Sequence, residues 1–198
     1  DSKIPVLKKI NEKMLSKDSR LIKTQIYFLD YTSWILLANS NGQIVCDYRP
    51  MTRCYALATA EQNGRKEENY ESYGGRRGAE HYTDEFIDNL ASTAVRKTID
   101  LFEAVPMQGG EMEVVLAPGD AGIILHEAIG HGMEADFNRK GESVFADKIG
   151  KPIAPKFVTI VDDATLPGER GALNVDDEGN ATSRTVLIED GILKGYLQ

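Results

Sequence analysis

Between Pro106 and Gly110 the chain reads Pro-Met-Gln-Gly-Gly, and a regular element cannot continue through it. Proline lacks the amide donor a helix needs, and paired glycines lose the most conformational entropy on ordering. The break therefore parts the 198 residues into two stretches, each of which must find its own core. Two domains are predicted, 1–108 and 109–198.

In the first stretch Ile4, Leu7, Ile10 and Met14 recur at helical spacing with lysines between them, predicting a short amphipathic helix. From Leu21 to about Tyr73 the texture turns aromatic and β-branched. The runs Ile26-Tyr27-Phe28-Leu29, Trp34-Ile35-Leu36-Leu37 and Ile44-Val45-Cys46, parted by turn formers such as Asn41-Gly42, predict an antiparallel meander. Tyr31 and Trp34 are expected in its core, where large aromatic strand residues usually pack. The polar stretch 61–82 reads as a solvated connection, although its Gly74-Gly75-Arg76-Arg77-Gly78 could also cradle an anion. Thr83-Asp84-Glu85 then supplies a cap and an acidic first turn for a helix to about Val105, with Phe86, Leu90, Ala94, Ile99 and Leu101 as its apolar set.

In the second stretch 112–116 reads as a buried strand and Pro118-Gly119-Asp120 as a turn and N-cap. Ala121 to about Ala135 reads as a second helix, 157–161 as another strand, and 186–193 as a hairpin turning at Asp190-Gly191. The fold class is α+β: an antiparallel β-sheet with flanking helices, then a strand, a motif helix and a strand with hairpin from a second domain.

Two of the three histidines fall within Leu125-His126-Glu127-Ala128-Ile129-Gly130-His131. Two imidazoles as metal ligands, with an acid–base carboxylate beside the first, are the toolkit of a zinc hydrolase. The spacing is one residue longer than in H-E-x-x-H. Five residues on a regular helix leave the side chains roughly 140° apart, too divergent to share an ion. The helix must widen into a π-type turn or yield at Gly130, so an irregularity is predicted between Ala128 and His131. On this reading His126 and His131 ligate Zn²⁺, and Glu127 is catalytic, moving a proton from the activated water to the leaving amine. The alternative is a core helix whose histidines only satisfy hydrogen bonds; the adjacent glutamate weighs against it.

A catalytic zinc takes three protein ligands. Glu134, Asp136, Asp120, His81, Cys46 and Cys54 are all available as the third, and spacing does not choose among them. Composition narrows the partners instead. A net charge of −8 offers no basic surface for nucleic acid. No apolar run reaches membrane-spanning length, and the first residues do not form a basic-then-apolar leader. Two cysteines are too few for a disulfide framework, which predicts a reducing, cytoplasmic setting.

The run Gly119-Asp120-Ala121-Gly122-Ile123-Ile124-Leu125-His126-Glu127-Ala128-Ile129-Gly130-His131-Gly132 resembles the signature of the metal-bearing TldD branch of the TldD/PmbA metallopeptidases. The likeness continues through Asp176-Asp177-Glu178-Gly179 and through 187–197. The PmbA (TldE) branch lacks the two histidines and the glutamate. The resemblance implies a cytoplasmic zinc peptidase acting on unfolded peptides, paired as a heterodimer with a PmbA/TldE-type subunit. It makes His126 and His131 zinc ligands and Glu127 the base, and it implies a cysteine ligand late in the chain. No cysteine follows Cys54, so the chain is expected to be a central fragment lacking N- and C-terminal parts. The resemblance also suggests an extended peptide added to a sheet edge, with 157–161 and the 186–197 hairpin as candidates. Asp162-Asp163 and Asp176-Asp177-Glu178 would then lie at the margin of the site.

Three functions compete: a zinc-dependent peptidase, a metal-dependent hydrolase of a non-peptide amide, and a non-catalytic binding subunit. Metal content separates the last from the other two, and substrate choice separates the first from the second.

Overall fold

A computed structural model describes residues 3–119 and 121–198; the expected N-cap Asp120 lies outside the described residues. The chain forms two compact units, Asp1–Gln108 with Leu166–Asn180, and Gly109–Thr165 with Ala181–Gln198. Both mix helices with antiparallel sheet, as the α+β reading requires.

The first unit is built on strands β1 (Leu21–Ala38), β2 (Ile44–Gln62) and β3 (Arg65–Gly75), hydrogen-bonded in that order. The two runs expected as separate strands at 26–29 and 34–37 are one strand of 18 residues. Nothing in Asp30-Tyr31-Thr32-Ser33 breaks the pleat, and each of these residues pairs with β2. The polar stretch is likewise not a loop as far as Gly75. Asn63 (φ 53°) and Gly64 (φ 80°) form a tight two-residue turn that folds β3 back on β2.

Helices α1 (Ile4–Leu15) and α2 (Asp84–Asp100) supply the core with the sheet. Cys54, Ala56 and Ala58 of β2 are fully buried beside Ala91 and Ala94 of α2. Small side chains on both elements let helix and sheet approach closely. Thr83 caps α2 by accepting from the Phe86 amide at 3.3 Å. The helix ends at Asp100, followed by one 3₁₀ turn at Leu101–Glu103, short of the expected Val105.

Tyr31 and Trp34 are not core residues: they are 58% and 79% exposed. Because β3 pairs with β2 only from Thr52, the ends of β1 and β2 run on as a two-stranded ribbon. Trp34 packs there against Tyr48, ring centroids 4.5 Å apart and planes tilted by 48°. Leu166–Asn180 attaches to the same ribbon: Asn174 Nδ2 donates to buried Asp47 at 2.7 Å, and Gln43 Nε2 to Gly179 O at 2.7 Å.

The second unit contains α3 (Ala121–Leu125), α4 (Ala135–Arg139) and strands β4 (Ile160–Asp163), β5 (Arg184–Glu189) and β6 (Ile192–Leu193). Its core joins Met133, Leu187, Ile188 and Leu193. The expected hairpin is present, with Asp190 (φ 50°) and Gly191 (φ 80°) in the turn. Two expectations fail. Residues 112–116 form no strand, and Val115 is 99% exposed, because no described strand supplies the hydrogen-bonded neighbour a strand requires. Strand β4 begins at Ile160 rather than 157, since the Val158 amide closes a turn on Pro155 O at 2.9 Å and leaves Phe157 exposed.

Candidate metal centre

The histidine segment is irregular where the spacing demands it. After α3, residues His126–Gly130 form a π-turn, in which the His131 amide donates to the carbonyl of His126 five residues back. A single 3₁₀ turn, His131–Met133, follows. Glu134 is extended (φ −60°, ψ 129°), so the expected helix to Ala135 stops at Met133 and α4 starts afresh. Gly130 keeps helical angles (φ −54°, ψ −56°). The widened turn therefore does not draw on glycine's access to positive φ.

The extra residue within the hydrogen-bonded turn brings the side chains round to one side. Ligand atoms of His126, Glu127 and His131 all lie within 4.8 Å of one another. The imidazole centroids are 4.6 Å apart with the rings inclined at 73°, and Glu127 Oε2 is 3.8 Å from His131 Nε2. All three side chains are exposed. On its other side His131 Nδ1 bonds Glu134 Oε1 at 2.7 Å. That hydrogen bond, with lesser attraction from the Glu134 and Glu127 charges, raises the His131 pKa above the usual imidazole value. Two imidazole nitrogens that face the same side could hold a metal ion, with the Glu127 carboxylate beside them.

The other candidate ligands stand apart from this group, and Asp120 lies outside the described residues. Glu134 is bonded to His131, and Asp136 faces Lys140 at 3.8 Å. His81 belongs to the first unit, stacked on Tyr73 at 4.8 Å, with its pKa lowered by burial and by the Arg77 charge. Cys54 is buried, which pushes its thiol up to about 12, and Cys46 is exposed on the same strand. Among the described residues none of these joins the His126–Glu127–His131 group.

The margin residues and the arginine-glycine run are held locally as well. Asp163 accepts from the Thr165 amide and hydroxyl, and Asp176 from the amides of Glu178 and Asn180. The Arg77 carbonyl accepts from Thr52 Oγ1 at 3.0 Å, and Arg77 Nη1 lies 3.2 Å from His81 Nδ1. Glu134 enters the sequence reading only as a possible ligand. Its three-residue offset from His131 is the signal that points to a partner on the same turn.

Residues 1–102 match the model of the PmbA/TldA metallopeptidase central domain, and residues 109–198 that of the PmbA/TldA metallopeptidase C-terminal domain. The chain is 37% identical over 204 residues to a metalloprotease TldD homolog of Haemophilus influenzae, covering 100% of this chain and 42% of the relative. A metalloprotease of Methanocaldococcus jannaschii is 42% identical over 149 residues, covering 74% of this chain and 33% of the relative. The chain thus spans less than half the length of these relatives. In fold it is similar to TldE of Thermococcus kodakarensis, with a TM-score of 0.76 at 20% identity over 98% of this chain and 43% of that one. A solved Bacteroides thetaiotaomicron structure gives a TM-score of 0.81 at 21% identity, over 99% of this chain and 44% of that one.

Proposed function

The chain belongs to the PmbA/TldD metallopeptidase family, and from that premise we propose that it carries the metal-binding and proton-transferring residues of a zinc peptidase. The observation that supports this most is the π-turn gathering of His126, Glu127 and His131, with ligand atoms within 4.8 Å. His126 and His131 would hold the ion through one ring nitrogen each. A bound Zn²⁺ supplies Lewis-acid polarisation and lowers the pKa of an adjacent water toward about 7. Glu127, exposed beside both rings, accepts the proton of the attacking water and returns it to the amine nitrogen as the peptide C–N bond breaks.

The proposed substrate is an unfolded peptide, laid as an added strand along a sheet edge. In the β4–β5–β6 sheet the two edges are β4 and β6, and β6 is already bridged by Pro152, which favours β4. The proposed assembly is a heterodimer with a metal-free PmbA/TldE-type subunit. A cytoplasmic location is supported by two thiols that cannot pair with each other: Cys46 and Cys54 lie eight residues apart on one strand, about 26 Å. Among the described residues no helix is long and apolar enough to cross a membrane.

The test is elemental analysis of the intact protein alongside peptide hydrolysis. One zinc per site is expected in the wild type and is lost in His126→Ala. Glu127→Gln should keep the zinc while turnover falls by about 10²–10⁴. Wild-type turnover in a zinc-replete Glu127→Gln protein, or hydrolysis of small amides but not of peptides, would overturn the reading.

A further inference from the structure

We propose that Glu134 is a positioning residue that holds His131 in the tautomer protonated at Nδ1, so that Nε2 presents its lone pair to the metal. The inference rests on the zinc reading above and extends it to a residue that does not touch the ion. An ionised carboxylate can only accept a hydrogen bond, so the 2.7 Å contact from Glu134 Oε1 places the proton on Nδ1 of a neutral ring. The other nitrogen, Nε2, lies 3.8 Å from Oε2 of Glu127, which belongs to the same three-residue group. A carboxylate behind a metal-binding imidazole both orients the ring and raises its basicity.

An exposed imidazole–carboxylate pair is ordinarily weak, because two mobile side chains must be ordered to make it. Here the backbone beneath the pair is clamped. The Leu197 amide donates to Met133 O at 2.8 Å, and the Ala135 amide donates to Leu197 O at 2.7 Å. Asn138 Nδ2 donates to both Glu134 O at 2.8 Å and Gly132 O at 2.9 Å. Met133, between the two partners, is fully buried. The clamp fixes the backbone at residues 132–135, so only the two side chains remain to be ordered when the pair forms.

The experiment uses the intact protein with ¹⁵N-labelled histidine, metal-free, at a pH where its imidazoles are neutral. The ring ¹⁵N shifts of His131 should report Nδ1–H in the wild type. Glu134→Gln keeps an acceptor oxygen and should retain that tautomer. Glu134→Ala should move His131 toward Nε2–H, the form free imidazole side chains favour in water. Zn²⁺ alone, titrated against a chelator, should bind Glu134→Ala about 10–100-fold more weakly than wild type, with Glu134→Gln between them. An Nε2–H ring in the wild type would overturn the proposal, as would a Glu134→Ala protein with unchanged tautomer and zinc affinity. Absence of zinc binding in the wild type would sink the zinc reading instead, and the tautomer measurement would still decide whether Glu134 sets the ring.

Discussion

A β-carbon on Gly132 would stand 2.8 Å from Cε2 of Phe145, inside the contact distance of any packed carbon pair. Gly132 follows His131 directly, its carbonyl accepts from Asn138 Nδ2 and Ser143 Oγ, and Phe145 packs on the second unit's core. Gly132→Ala must therefore push the ring or lift the turn. We expect a loss of about 1–3 kcal/mol in urea unfolding, with part of it regained when Phe145→Leu is added. A Gly132→Ala protein as stable as the wild type would show that the turn has slack.

The Asp47 carboxyl is held below the usual carboxylate range, first by the Arg49 guanidinium bonded at 2.7 Å and then by Asn174. Its unfolded pKa is near 3.9. A group depressed on folding contributes fully above its unfolded value, and that contribution fades as pH falls through the folded one. Asp47→Asn should cost about 1.5–3 kcal/mol near neutral pH. The gap from wild type should narrow below about pH 4. Denaturant melts at both pH values check this, and a gap that stays constant with pH would contradict it.

The two thiols should differ sharply in reactivity. Burial pushes Cys54 up to about 12, whereas Cys46 is exposed. Iodoacetamide followed by peptide mass mapping should modify Cys46 in the native protein and reach Cys54 only after denaturation, since the thiolate is the nucleophile. Equal labelling without denaturant would mean that the α2–sheet core opens readily.

Trp34 is the single tryptophan and is 79% exposed on the β1–β2 ribbon. For the chain of residues 1–198, its emission should be solvent-like and quenched by iodide. Trp34→Phe should change stability by no more than about 0.5 kcal/mol, as expected of a surface substitution. A blue-shifted, unquenched signal would show that the ribbon face is covered.

The outcomes divide according to how far along the chain the deciding partner lies. Thr83 caps α2 with an amide three residues on, and Asp190-Gly191 turns β5 into β6 within two residues. Both are readable because the rule involves only neighbours. Asn63-Gly64 carries the same kind of signal, yet the polar residues after it read as a connection, and β3 becomes visible only through its pairing with β2.

The candidate site is readable for a similar reason. Residue types and a five-residue interval imply metal donors and a widened turn, and the π-turn at His126–Gly130 is what that interval requires if the rings are to meet.

The remaining features need partners far away in sequence. Trp34 reads as core, yet the helices pack on β1 only as far as Phe28 and leave the ribbon beyond it uncovered; residues 112–116 read as a strand, yet no described neighbour pairs with them. The bond from His131 to Glu134 depends on a helix that ends at Met133 and on Leu197, distant in sequence, clamping that end. Local chemistry by itself determined the Thr83 cap, the Asp190-Gly191 turn and the widened turn at His126–Gly130. Burial, strand pairing and the orientation behind His131 were decided by tertiary structure, because each is set by a surface that only folding brings alongside.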